Sequence, residues 1–150
     1  MKNPLSTLQD YELFIYSLRE TFPSVRQSTL VLVRIGASMA RVSGELRFAH
    51  GIRLIARERI LADRLPALLD YYSYEIWRDQ TKLYWYDPQP HPNEPDLQST
   101  HPHHKHIPPD MKHHRIPAAG LTFAQPNLPF LIDEIESLLE EIEAEDAGKT

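Results

Sequence analysis

The residues best suited to chemistry are seven of the chain's eight histidines, which lie between Tyr86 and Arg115 together with seven of its thirteen prolines. Histidine titrates near neutral pH, so its ring can exchange a proton or bind a metal ion. Proline fixes φ and biases the preceding residue toward extended backbone, so this spacing excludes a regular helix. We therefore predict a long, stiff loop that presents imidazoles and carries the function.

The densest part of this loop is the sequence HPHHKH, from His101 to His106. Side chains alternate in an extended chain, which predicts His101 and His103 on one side and His104 and His106 on the other. Two histidines on one side need further ligands to hold an ion, and the candidates are Asp87, His91, His113 and His114. The chain has no cysteine and no HExxH pattern, so the support for zinc is weak. A divalent metal is an optional cofactor rather than a required one, with the candidate ligands His101, His103, His104 and His106.

Cleavage of RNA without a metal is the alternative chemistry. It needs a base for the 2′-hydroxyl proton and an acid for the leaving oxygen, and two imidazoles near pH 7 suit both roles. A cation must stabilise the charged phosphorane, and the candidates are Lys105, Arg57 and Arg59. Three aromatic side chains could stack on unpaired bases or simply pack in the core: Tyr74, Trp85 and Tyr86. Core packing is the more common role for Trp85.

The rest of the chain must position this loop. Apolar patterns predict five strands, at residues 28–35, 39–48, 52–60, 71–78 and 82–87. Helical spacing predicts a helix at residues 5–21, capped by Ser6 or Thr7, and a helix at residues 127–146, capped by Asn127. The expected fold is one α+β domain over residues 1–150. It has a meander-like antiparallel sheet of about five strands, N- and C-terminal helices and a long His/Pro-rich loop.

Charge and composition narrow the function classes. The net charge is −5, but residues 133–146 carry eight acidic and no basic side chains, whereas residues 1–130 carry 15 basic and 13 acidic ones. This pattern fits a body that faces a polyanion or, more commonly, a solvated acidic helix face. The lack of cysteine excludes disulfides and thiol catalysis and fits a reducing cytoplasm. No signal peptide or transmembrane pattern is present, so no membrane partner is expected.

Several strings together resemble the TumE-like family of bacterial toxin–antitoxin proteins: YSYEIW, KLYWYDPQPHP, STHPHHKH and KHHRIP, preceded by GIRLIARER. The resemblance covers roughly residues 40–140. It implies a small cytoplasmic toxin that cleaves RNA and is neutralised by a cognate antitoxin protein. By position, it implies catalytic roles for Arg57, Glu58, His103, His104, Lys105 and His106. It implies binding roles for Tyr74, Tyr86, Asp87 and His91, and His101 of the histidine tract is a further candidate for binding.

Two function classes stay open on the sequence alone. One is an RNA-cleaving toxin, an endoribonuclease with an imidazole acid–base centre. The other is a non-enzymatic module that binds metal or docks its acidic C-terminal helix on a basic partner. A homo-oligomer is compatible with both classes.

Overall fold

The computed structural model describes residues 2–149 and shows an antiparallel sheet of eight strands with helices near both ends of the chain. This confirms the predicted α+β class, although Met1 and Thr150 of the predicted domain lie outside the described residues. The helices are α1 (Leu8–Tyr16), α2 (Leu18–Thr21) and α3 (Leu128–Ala147). The strands are β1 (Gln27–Ser28), β2 (Val31–Ile35), β3 (Met39–Arg47), β4 (Ile52–Leu61), β5 (Leu68–Arg78), β6 (Thr81–Asp87), β7 (His104–His106) and β8 (Arg115–Pro117).

The sheet runs in the order β3, β4, β5, β6, β7, β8, and both β1 and β2 pair with the outer edge of β3. Between β1 and β2, the backbone of Thr29 and Leu30 lies very close to Gly44 of β3, which has a φ of 138°. A Cβ atom there would lie 2.5 Å from the carbonyl oxygen of Thr29. Only glycine fits this approach, so β1 and β2 are separate strands.

The expected number of about five strands was wrong. Residues 28–35 contribute to two strands instead of one, and the predicted loop contributes two more, β7 and β8. Each of these two has three residues, too few for an alternating pattern to identify. Pro102 and Pro108 lie just outside β7, which can therefore hydrogen-bond to both neighbours, and Pro117 lies on the edge strand β8.

The N-terminal helix is less regular than expected, because it is divided into a 3₁₀ turn at Pro4–Ser6, α1 and α2. The predicted cap is confirmed at Thr7, whose hydroxyl accepts a hydrogen bond from the Asp10 N–H at 3.0 Å. The predicted position of the α3 cap is confirmed, but its side-chain capping hydrogen bond is absent among the described residues. Asn127 stands at the cap position, but its side chain accepts from the Thr122 N–H and donates to the Tyr74 hydroxyl. Full burial explains this, since the amide must find partners inside the core.

The two faces of the sheet have different surroundings. The inner face packs against α1 and α3, and on β4 it carries the buried side chains of Leu54, Ala56, Glu58 and Ile60. The outer face carries the intervening residues of β4, including Arg57, because side chains alternate along a strand. Arg53, Arg57 and Arg59 of β4 therefore lie together on the outer face.

Glu58 is the one acidic side chain among the described residues that is buried in the core, and it joins three elements. The hydroxyls of Tyr11 and Tyr74 donate hydrogen bonds to its two carboxylate oxygens. Burial raises the pKa of Glu58, and the tyrosine hydrogen bonds oppose this effect only in part. The carboxyl group thus links α1 to β4 and β5, and through Tyr74 to Asn127 at the start of α3.

This network predicts a pH-dependent stability. Because the folded pKa of Glu58 lies above its ordinary value of 4.5, its contribution is complete below that pH and is lost as the pH rises through the folded pKa. We expect the wild-type protein to lose free energy of unfolding relative to a Glu58→Gln variant as the pH rises from 4.5. Urea unfolding at several pH values measures this difference. The exposed Glu20→Gln is the control, and a pH-independent difference for Glu58→Gln would contradict the prediction.

Candidate active site

The pairing of β7 with β6 builds the candidate site. It places His104 opposite Asp87 and His106 opposite Trp85. Because paired residues of adjacent strands share a face, these four side chains all lie on the outer face. Lys105, between the two histidines, points to the inner face. The predicted alternation of His104 and His106 on one side is confirmed.

The side chains of Asp87, His104 and His106 converge on one point, and we call them the triad. The Nε2 atom of His104 lies 3.1 Å from Oδ1 of Asp87, and Nε2 of His106 lies 3.0 Å from Oδ2. The two Nε2 atoms are 3.0 Å apart. The histidine side chains are 1% and 6% exposed and that of Asp87 is 18% exposed, so only the carboxylate is in appreciable contact with solvent.

Neighbouring groups hold each member of the triad in orientation. Nδ1 of His104 lies 3.0 Å from the Pro102 carbonyl oxygen, and Nδ1 of His106 lies 2.9 Å from that of Met111. The Trp85 ring stacks on His106 with centroids 3.9 Å apart, and its N–H donates to Asp87 at 3.0 Å. The triad is therefore rigidly supported from the backbone and from β6.

His91 and Arg115 lie beside the triad. The His91 ring meets His104 edge-on with centroids 4.8 Å apart, and its side chain is 18% exposed. Nη1 of Arg115 lies 3.4 Å from Nδ1 of His91 and 2.5 Å from a carboxylate oxygen of Glu94. His91 is thus the imidazole of this group that solvent reaches, with a guanidinium beside it.

The surroundings shift the pKa values of these groups in different directions. Burial would raise the pKa of Asp87, but hydrogen bonds from His104, His106, Trp85 and the Gln89 N–H outweigh it and hold that pKa far below its usual range. Burial would lower the pKa of His104, but the bonds to Asp87 and the Pro102 carbonyl raise it. Burial lowers the pKa of His91, and the charges of Arg115 and His104 add to this effect.

Several residues that the sequence associates with the site lie elsewhere. His103 stacks on Tyr72, whose hydroxyl is 2.5 Å from its Nδ1, and packs against Phe123. Lys105 lies 4.0 Å above the Tyr84 ring and 3.6 Å from Glu134 of α3. The other residues on the inner side or in the core are Glu58, Tyr74 and Tyr86. His101 is exposed and lies outside the triad.

Arg57 lies on the same face as the triad but apart from it. It pairs with Ser73 of β5, and continuing the β5–β6 register by one residue places Ser73 beside Asp87. Arg57 is therefore two strands from Asp87, a separation of about 10 Å at the usual strand spacing. It lines an open groove of about 310 Å³ with other outer-face residues, which include Arg41, Ser43, Arg59 and Tyr71.

No local sequence pattern identifies Arg115 and Glu94 as neighbours of the site. The contacts of Arg115 with His91 and with Glu94 each span more than twenty residues of the chain, so only the folded path of the loop shows them. Trp85 had been expected to pack in the core or to stack on bases, and it contacts the triad instead. Its spacing of two from Asp87 in a strand was the available signal, since such residues share a face.

A comparison with protein-family models finds one described as Toxin TumE, which matches residues 15–145. The comparison with curated proteins finds no match, and neither does the comparison with solved structures. The matched range contains all eight strands, the triad, His91 and Arg115.

The contacts of Asp87 predict its effect on stability. An Asp87→Ala change leaves the Trp85 and Gln89 N–H groups without their acceptor and removes the carboxylate that both histidine rings contact, so we expect the free energy of unfolding to fall by about 2–4 kcal/mol. Asp87→Asn keeps one acceptor oxygen and should cost less. Urea unfolding measures both changes. The exposed Asp63→Ala is the control and should cost less than about 0.5 kcal/mol, and an equal effect of Asp63→Ala would contradict the prediction.

Proposed function

The chain belongs to the TumE toxin family, and we propose that it is the toxin of a bacterial toxin–antitoxin pair that cleaves RNA in the cytoplasm. The observation that supports cleavage is the triad with His91 and Arg115 at its side: ionisable groups held close together on a face of the sheet rich in arginine. Such groups are what proton transfer at a phosphodiester requires.

The solvent exposure of each side chain suggests its proposed role in cleavage. His91, which solvent reaches, exchanges one of the two protons that move when the 2′-hydroxyl attacks and the leaving oxygen departs. The triad handles the second proton. Arg115, held by Glu94, stabilises the charge that develops on the phosphate. These roles replace those assigned to His103 and Lys105 from the sequence, because both face the other side of the sheet.

The outer face supplies a path for the RNA backbone. Most of its cations are ion-paired, as Arg59 is with Asp70 and Arg53 is with Glu45. Arg41 and Arg57 are exposed and form no ion pair with any residue that the structure describes. We assign them to phosphate contacts, with the exposed Tyr71 as the base-stacking residue, since Tyr74 and Tyr86 are buried.

The proposed partners follow from the family. A toxin of a toxin–antitoxin pair has a cognate antitoxin protein, and we propose one for this chain. Among residues 2–149, no helix combines the length and the apolar character that a membrane crossing requires.

The proposal predicts cleavage of cellular RNA by the purified protein and growth arrest when it is induced. His91→Ala is expected to slow cleavage by about 100-fold or more, the usual effect of removing an acid–base group, and to relieve the arrest. The control is His113→Ala, which removes an exposed histidine of the same segment that is paired with Asp110. Intact RNA with the wild-type protein, or equal cleavage by the His91→Ala variant, would contradict the proposed function.

The proposed path predicts a salt-dependent affinity. In a His91→Ala background, Arg41→Ala and Arg57→Ala together should weaken the binding of single-stranded RNA. They should also reduce the slope of log K against log salt by about 0.7 for each phosphate that the protein no longer neutralises. Fluorescence polarisation at several salt concentrations measures both quantities. Arg19→Ala, an exposed arginine on α2, is the control, and an unchanged slope in the double variant would exclude this path.

A further inference from the structure

The hydrogen atoms of the triad point away from its centre. A backbone carbonyl only accepts hydrogen bonds, so the contacts to Pro102 and Met111 place a hydrogen on Nδ1 of both His104 and His106. In a neutral ring, the Nε2 atom then carries a lone pair. The centre is therefore lined by two nitrogen lone pairs and a carboxylate, all within 3.1 Å of a neighbour.

Adding protons to the histidine rings cannot turn all three contacts of the triad into good hydrogen bonds. One extra proton, on Nε2 of His104, can point to Asp87 or to His106 but leaves the His106–Asp87 contact as two acceptors at 3.0 Å. A proton on both rings places two positive imidazolium groups with their Nε2 atoms 3.0 Å apart. A single cation at the centre would instead contact all three groups at once.

We propose that Asp87, His104 and His106 bind one divalent transition-metal ion through the Asp87 carboxylate and the two Nε2 atoms. Ligand atoms about 2.0–2.2 Å from an ion lie about 2.8–3.1 Å from each other at adjacent octahedral positions and about 3.3–3.6 Å apart in a tetrahedron. The two Nε2 atoms are 3.0 Å apart, and each lies 3.0 or 3.1 Å from its own oxygen of the Asp87 carboxylate, so the separations match the octahedral value.

The surroundings have the form that metal ligands need. A ligating histidine usually donates its second ring N–H to a carbonyl or a carboxylate, as both rings do here. The Trp85 and Gln89 N–H groups fix the Asp87 carboxylate in the same way. Two imidazoles and one carboxylate favour Zn²⁺, Mn²⁺, Fe²⁺ or Co²⁺ over Mg²⁺ and Ca²⁺, which take mainly oxygen ligands.

The other histidine contacts of the chain lack these features. His113 meets only Asp110, both are exposed, and no third ligand is nearby in the described residues. Of the four ligands expected from the sequence, His101 and His103 lie outside the triad, and Asp87 supplies the third position. The inference deepens the proposed function and rests on it for its meaning: three protein ligands leave a position for a water molecule or a phosphate oxygen, and with the ion bound that water would make the second proton transfer that we assign to the triad.

The test measures metal directly. Protein made without an affinity tag is stripped with EDTA, dialysed, and titrated with Zn²⁺ by calorimetry, and the bound metal is counted by mass spectrometry. We expect one Zn²⁺ per chain, with binding at least about 10-fold weaker for Asp87→Asn and for His106→Ala. His113→Ala, the matched control, should bind as the wild type does. Co²⁺ should give a visible absorption band that is absent from both triad variants.

Two results would overturn the inference. One is no stoichiometric Zn²⁺ at micromolar protein, and the other is binding that the triad variants retain but that His101→Ala or His113→Ala removes. If a triad variant does not fold, as judged by circular dichroism, ring ¹⁵N spectra of the wild type decide. Zn²⁺ must shift Nε2 of His104 and His106 and leave His101 unchanged.

The result is separable from that of the proposed function. Stoichiometric metal binding without any RNA cleavage would support the metal site and contradict the proposed nuclease activity. RNA cleavage that persists in EDTA, by protein that binds no metal, would support the nuclease activity and contradict the metal site.

Discussion

The candidate site depends on three backbone pairings between β6 and β7. They set His104 against Asp87 and His106 against Trp85, and they join the histidine segment to β6. Because side chains alternate along a strand, a slip of one residue would turn both imidazoles to the inner face and Lys105 outward. The site on the outer face thus depends on the register of β7 against β6 as well as on the types of residue in β7.

The same alternation separates two polar networks that adjoin each other in sequence. Lys105 and Tyr86 point inward and meet Glu134, so they attach α3 to the sheet edge. Asp87 and His106 point outward and belong to the triad. Residues of one short segment therefore serve stability and chemistry in turn, which explains why a dense motif contributes only part of its length to one centre.

The sequence predicted those parts of the molecule whose patterns extend over many residues. The terminal helices and the strands β3–β6 have clear apolar periodicity, and they form near the expected positions. The strands β7 and β8 are too short for a pattern, and their pairing is decided by contacts distant in the chain. For the site, alternation correctly grouped His104 with His106 and left Asp87 as one of several candidates. The contact of His91 with Arg115 follows only from the folded path of the loop.

The ring of His106 is oriented by the Met111 carbonyl, five residues further along the chain. The residues between them carry no group with a proposed chemical role, yet the number of these residues determines where the Met111 carbonyl oxygen lies. Insertions or deletions between Ile107 and Met111 should therefore rotate the imidazole while every reactive residue is retained. Among related chains, we expect the number of residues in this interval to vary less than their identity.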